Sequence, residues 1–91
     1  MKVYMYKEYN DGLAYGEEYI RLFYNKADAE ALLAKRVEED YHMHISVMAV
    51  IPDFKYDVIQ SDYVSIKNGE DTAYYIIEEK EVEGVESSDN K

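Results

Sequence analysis

The stretch YVSIKNGEDTAYYIIEEKEV, residues 63–82, decides the fold. Tyr63 to Lys67 and Thr72 to Val82 alternate like half-buried strands and are rich in β-branched and aromatic residues. Asn68-Gly69 between them is the strongest short hairpin signal in the chain. With a side-chain period of two, Val64 and Ile66 fall on one face. Toward the N-terminus, Lys2 to Tyr9 reads as another strand, with Val3 and Met5 on one face and Tyr4 and Tyr6 on the other. Asn10-Asp11-Gly12 and then Gly16 break the chain before Glu18 to Tyr24, where Ile20, Leu22 and Tyr24 alternate with Tyr19, Arg21 and Phe23. These two segments predict an antiparallel hairpin with a loop of several residues.

Between the hairpins lies a helix. Asn25 is a good N-cap, Asp28 is a short-armed version of a capping-box acid, and the residues that follow are rich in Ala, Leu, Glu, Lys and Arg. From Lys26 to Tyr41 the apolar Ala29, Leu32, Leu33, Val37 and Tyr41 recur at helical spacing, with Glu30, Lys35, Glu38 and Glu39 largely off that stripe. Residues 42–60 are ambiguous. HISVMAVI, residues 44–51, suits a buried strand or a short helix capped by Ser46, and the helix is the preferred reading. Pro52 ends whatever precedes it, and Phe54, Tyr56, Val58 and Ile59 resume an extended or mixed path. The expected architecture is α+β: an antiparallel sheet of about four strands in the order ββ-α-(α)-ββ, with the main helix packed on one face. Residues 1–84 form one such domain, and 85–91 read as a disordered polar tail.

The chain has 91 residues, enough for a single thin core. Twenty Asp and Glu against 10 Lys and Arg give a net charge of −10, yet 47% of the residues are hydrophobic, so the acidity belongs to a folded surface. Cysteine is absent, which excludes disulfides and thiolate metal sites. MKVYMYKEY alternates where a secretory signal needs an apolar run, and Val47 to Ile51 is far short of the roughly 20 residues that span a bilayer. A soluble, cytoplasmic protein is the expectation. The negative charge argues against direct binding to nucleic acid or to a membrane surface.

The acidic residues offer two candidate binding clusters. Glu79, Glu81 and Glu83 alternate along the last strand and would share one face at roughly 6.7 Å spacing, a row of fixed charge able to replace phosphates in a basic groove. Charged residues on a terminal strand also simply discourage edge aggregation. Glu38, Glu39 and Asp40 stand where the helix dipole disfavours negative charge; a solvated helix face is the plainer account. Tyr74 and Tyr75 either pack a two-sided sheet or, if exposed, anchor a protein interface. Acidic surroundings exclude these rings as stacking platforms for single-stranded nucleic acid. Asp40, His42 and His44 would project together only from a strand and lack a third ligand, so no metal or cofactor is implied. No nucleophile-base order and no phosphate-cradling glycine loop occurs, and the residues point to a binding protein, not an enzyme.

Tyr63-Val64-Ser65-Ile66, Asn68-Gly69 and Tyr74 to Val82, with the KVY opening strand and the capped Ala-Glu helix, resemble small acidic proteins carried by phages and mobile elements of Gram-positive bacteria. The resemblance spans most of residues 1–83 through structural motifs, and it carries no catalytic residue across. It implies a setting in which small acidic proteins include anti-CRISPR inhibitors that imitate DNA. The first expectation is therefore an inhibitor whose acidic surface occupies the basic nucleic-acid-binding cleft of a host enzyme, such as a CRISPR nuclease. The alternative is a structural or assembly module, such as a homodimer, that self-associates through a tyrosine-lined sheet face.

Overall fold

In a computed structural model, residues 1–10, 19–52, 54–68 and 71–82 are described. They form β1 (Lys2–Asn10), β2 (Tyr19–Phe23), α1 (Lys26–Tyr41), α2 (Ile45–Met48), β3 (Tyr56–Gln60), β4 (Tyr63–Asn68) and β5 (Asp71–Glu81). The five strands make one antiparallel sheet in the order β2-β1-β5-β4-β3. The first and last strands are thus neighbours at its centre, paired from Lys2 opposite Glu81 to Asn10 opposite Ala73.

One strand more than expected is present, and it comes from the ambiguous segment. Tyr56, Val58 and Ile59 suit a pleated surface, and Gln60 pairs with Tyr63, leaving only Ser61 and Asp62 to connect β3 to β4. A register shift between Tyr56 and Val58 marks a bulge on this edge strand. The short helix is a single turn, and its cap differs from the expected one. His44 is the N-cap, its Nδ1 accepting the Ser46 N–H at 3.1 Å, so Ser46 is inside the turn. In the last hairpin Asn68 pairs with Asp71 and belongs to the strand; Gly69 lies outside the described residues.

The main helix begins at the predicted residue. The Asn25 side chain accepts the Ala27 N–H at 2.9 Å, which satisfies a donor that the first turn cannot. It ends at His42, whose backbone is left-handed (φ 62°) and whose N–H donates to the Glu38 carbonyl at 2.7 Å. Glycine commonly fills this position, and the histidine holds it without that residue's freedom.

Strand alternation divides the sheet into two faces. On one, the core face, Tyr6 and Ile77 stand side by side, as do Tyr75 and Val64, then Ala73 and Ile66. These residues join Ala29, Leu33 and Val37 of α1 and Met48 of α2 in a single buried cluster. The main helix contacts β1, β5 and β2. Residues after it cover the rest, with Met43, Ile45 and Phe54 packed against the same cluster. Leu33 is fully buried, so Leu33→Ala is expected to cost about 2–5 kcal/mol, a large fraction of a small domain's stability. Chemical denaturation checks this, and a midpoint within experimental error of the parent's would contradict it.

Candidate interaction surfaces

The acidic row of the last strand is largely answered from within the molecule. Glu79 meets the Lys2 ammonium at 3.2 Å and Glu81 meets the N-terminal ammonium at 3.0 Å. The Lys2 ammonium is correspondingly held above its ordinary pKa, first by the hydrogen bond to Glu79. On the opposite face Glu78 lies between Lys7 at 3.8 Å and Lys80 at 3.3 Å. Glu83 lies outside the described residues. The pairs of Glu79, Glu81 and Lys80 are substantially exposed and screened by solvent, and only Lys7 is half-buried, so these contacts redistribute charge more than they stabilise the fold.

The second cluster is far from the first. Asp40 accepts the Tyr75 hydroxyl at 2.6 Å, and Tyr75 pairs with Glu8, six residues along β1 from Lys2, which pairs with Glu81. At the ordinary strand rise this is about 20 Å. Glu39 approaches Arg36 at 3.7 Å, while Glu38 is exposed beside it. The unfavourable position of these acids at the helix end is thus offset for two of them by groups of the same molecule. His42 and His44 serve as caps, and among the described residues no group of three metal-ligating side chains gathers.

Tyr75 is not an exposed anchor. It is 3% exposed on the core face, because the period of two that puts Tyr74 outward turns Tyr75 inward. Burial, then the hydrogen bond to Asp40, pushes its phenol well above the usual pKa. A second buried phenol, Tyr6, donates to Glu8 Oε1 at 2.8 Å and is raised in the same way, by burial first and then by Glu8. Glu8 also accepts both arms of Arg36, Nε and Nη2, each at 2.9 Å. The Arg36 guanidinium lies over the Tyr19 ring at 4.3 Å, tying helix, first strand and second strand together. Sequence reading missed this junction, because Glu8 and Arg36 are 28 residues apart and each looks like an ordinary surface charge.

The other face of the sheet also carries apolar side chains, most of them half-buried. From β2 it carries Ile20 and Leu22, 45% and 64% exposed, and from β1 Val3, Met5 and Tyr9. Across β5 and β4 it continues through Ile76, Tyr74 and Tyr63, and reaches Val58 on β3. Tyr74 stacks on Tyr9 with ring centroids 4.8 Å apart. Among the described residues, none of these side chains belongs to the core cluster. An antiparallel sheet with one free face ordinarily turns polar residues outward; this one turns apolar and aromatic residues outward as well.

Charge is unevenly placed. Among the described residues 9 Lys and Arg stand against 12 Asp and Glu, a net of −3, so −7 of the total of −10 resides in the remaining segments. On the outer face Lys7, Lys67 and Lys80 are set against Glu78 and Asp57. No protein-family model matches the chain, and neither a curated protein nor a solved structure is significantly similar to it. The likeness to mobile-element proteins therefore rests on its own sequence motifs alone.

The buried phenols make stability pH-dependent with a definite sign. Their folded pKa values lie above the unfolded value of 10.0, so their contribution is complete below about pH 10 and is lost as pH rises and the unfolded chain ionises. Spectrophotometric titration is expected to leave at least Tyr6 and Tyr75 unionised until the fold opens, whereas in denaturant they ionise with the rest. A single transition near pH 10 with intact circular dichroism would contradict this assignment.

Proposed function

We propose that this protein acts by binding rather than by catalysis, as an assembly module whose recognition surface is the outer face of its sheet. One observation carries the reading: all five strands contribute apolar or aromatic side chains to this face, interspersed with Lys7, Glu78 and Ser65, and none of those apolar side chains contributes to the core cluster. Leaving such a surface in water is costly in proportion to its area, and covering it with a partner recovers that free energy. Tyr74 fits the role expected of an interface tyrosine, half-buried on the outer face with its ring stiffened by Tyr9.

The net charge of −10 favours a second reading, the acidic decoy of a phage or mobile element that blocks a basic nucleic-acid-binding cleft on a host enzyme. In this reading the contact moves away from Glu79, Glu81 and Glu39, which already face internal cations, toward the exposed Glu38. Such binding would weaken with salt, because steering between charges is screened over about 10 Å at 0.1 M.

Site-specific photo-crosslinking in a bacterial host separates the two readings. A photoreactive residue at Leu22, on the outer face, is expected to form adducts, and one at Glu38 is not. Adducts from position 38 alone, lost on raising salt, would replace the sheet-face reading with the decoy.

A further inference from the structure

The outer face has a shape and charge that suit one partner in particular. Resting on the reading that this face is the binding surface, we infer that its occupant is a second copy of this chain, stacked sheet against sheet. Three observations lead there.

The first is area. At the ordinary rise of 3.4 Å per residue and a strand spacing of about 4.8 Å, the five strands present roughly 600 Å² in flat projection. The pleated accessible surface is larger, and a stable standard-size dimer takes about 800 Å² from each partner. Two such faces packed about 10 Å apart would form the interior of a sandwich.

The second is charge. Two chains of −10 repel one another across most of their surface, and they approach at least cost where the charge is not negative. The main helix carries Asp28, Glu30, Glu38, Glu39 and Asp40 against Lys26, Lys35 and Arg36, and Arg36 is engaged by Glu8 of β1. Among the described residues the outer face carries three lysines against two carboxylates in its ion pairs. Face-to-face stacking therefore turns the acids outward and apart.

The third is that charges on this face enter the contact already paired. Glu78 meets Lys7 and Lys80, and Asp57 meets Lys67 at 3.4 Å, so covering the face strands none of these five groups without a counter-charge. Around them lie Leu22, Met5, Ile76 and Tyr63, the same apolar set on both copies. A symmetric contact is thus self-complementary.

Sedimentation equilibrium of the purified chain over a wide concentration range tests the inference. The expected result is a dimer that tightens as salt is raised, since salt screens the mutual repulsion while leaving apolar burial intact. Leu22→Glu is expected to weaken it at least tenfold. Leu22 is 64% exposed, so that variant keeps its fold, as circular dichroism would verify. Ile76→Lys is a second probe from the centre of the sheet. The pair Glu38→Gln and Glu39→Gln, on the helix side, is expected to leave the dimer as tight or tighter. A chain that stays monomeric at high concentration and high salt overturns the inference. So does a dimer indifferent to both Leu22→Glu and Ile76→Lys. If the chain is monomeric while crosslinks from position 22 contain a different protein, the second-copy assignment fails and the sheet-face reading stands.

Discussion

Everything in this molecule depends on the antiparallel pairing of its first strand with its last. Lys2–Asn10 and Asp71–Glu81 lie side by side over nine residue pairs at the centre of the sheet, and each carries a local hairpin partner on its other side. Without this pairing there would be two separate fragments, a hairpin from the N-terminal third and a three-stranded meander from the C-terminal third, each too small to bury a core. The contact closes a loop of some seventy residues, which is entropically costly. It is made worthwhile by the apolar cluster that forms only when Tyr6, Ile77 and Tyr75 come together beneath Leu33 and Val37.

The same pairing governs polar chemistry. It brings Glu8 of β1, which accepts the hydroxyl of Tyr6 on its own strand, level with Tyr75, whose hydroxyl donates to Asp40 of the main helix. Arg36 then closes the junction by a two-armed contact with Glu8 while covering Tyr19. Paired, partly buried groups of this kind specify one helix placement among several that an Ala-Leu stripe alone would tolerate, since any other placement strands a charge. At the far end the pairing sets Lys2 against Glu79 and the N-terminus against Glu81, which turns an acidic row into a mixed one.

Among the described residues the acids of the main helix and the apolar outer face of the sheet lie on opposite sides of the sheet. Most of the negative charge belongs to segments outside the described residues or to the helix side, and the outer sheet face is nearly balanced. High net charge keeps a protein with an exposed apolar face from indiscriminate aggregation, and it narrows association to orientations that keep the acids apart.

Much of this was legible in the primary structure. The period of two in Val3-Tyr4-Met5-Tyr6 and Tyr74-Tyr75-Ile76-Ile77 determined that both sheet faces would be apolar, and Asn25 with the stripe from Ala29 to Val37 determined the helix and its start, because these signals are local. Residues 42–60 were not legible to the same degree: a five-residue strand and a four-residue helix carry too few periods to distinguish themselves, and β3 exists because β4 offers it an edge. Which of Tyr74 and Tyr75 would be buried was equally undecided, for alternation assigns opposite faces without saying which one meets the core. Only the tertiary structure decided that, together with the pairing of Glu8 with Arg36 and of Glu79 with Lys2, because these contacts join residues that are distant in sequence and depend on strand order and register.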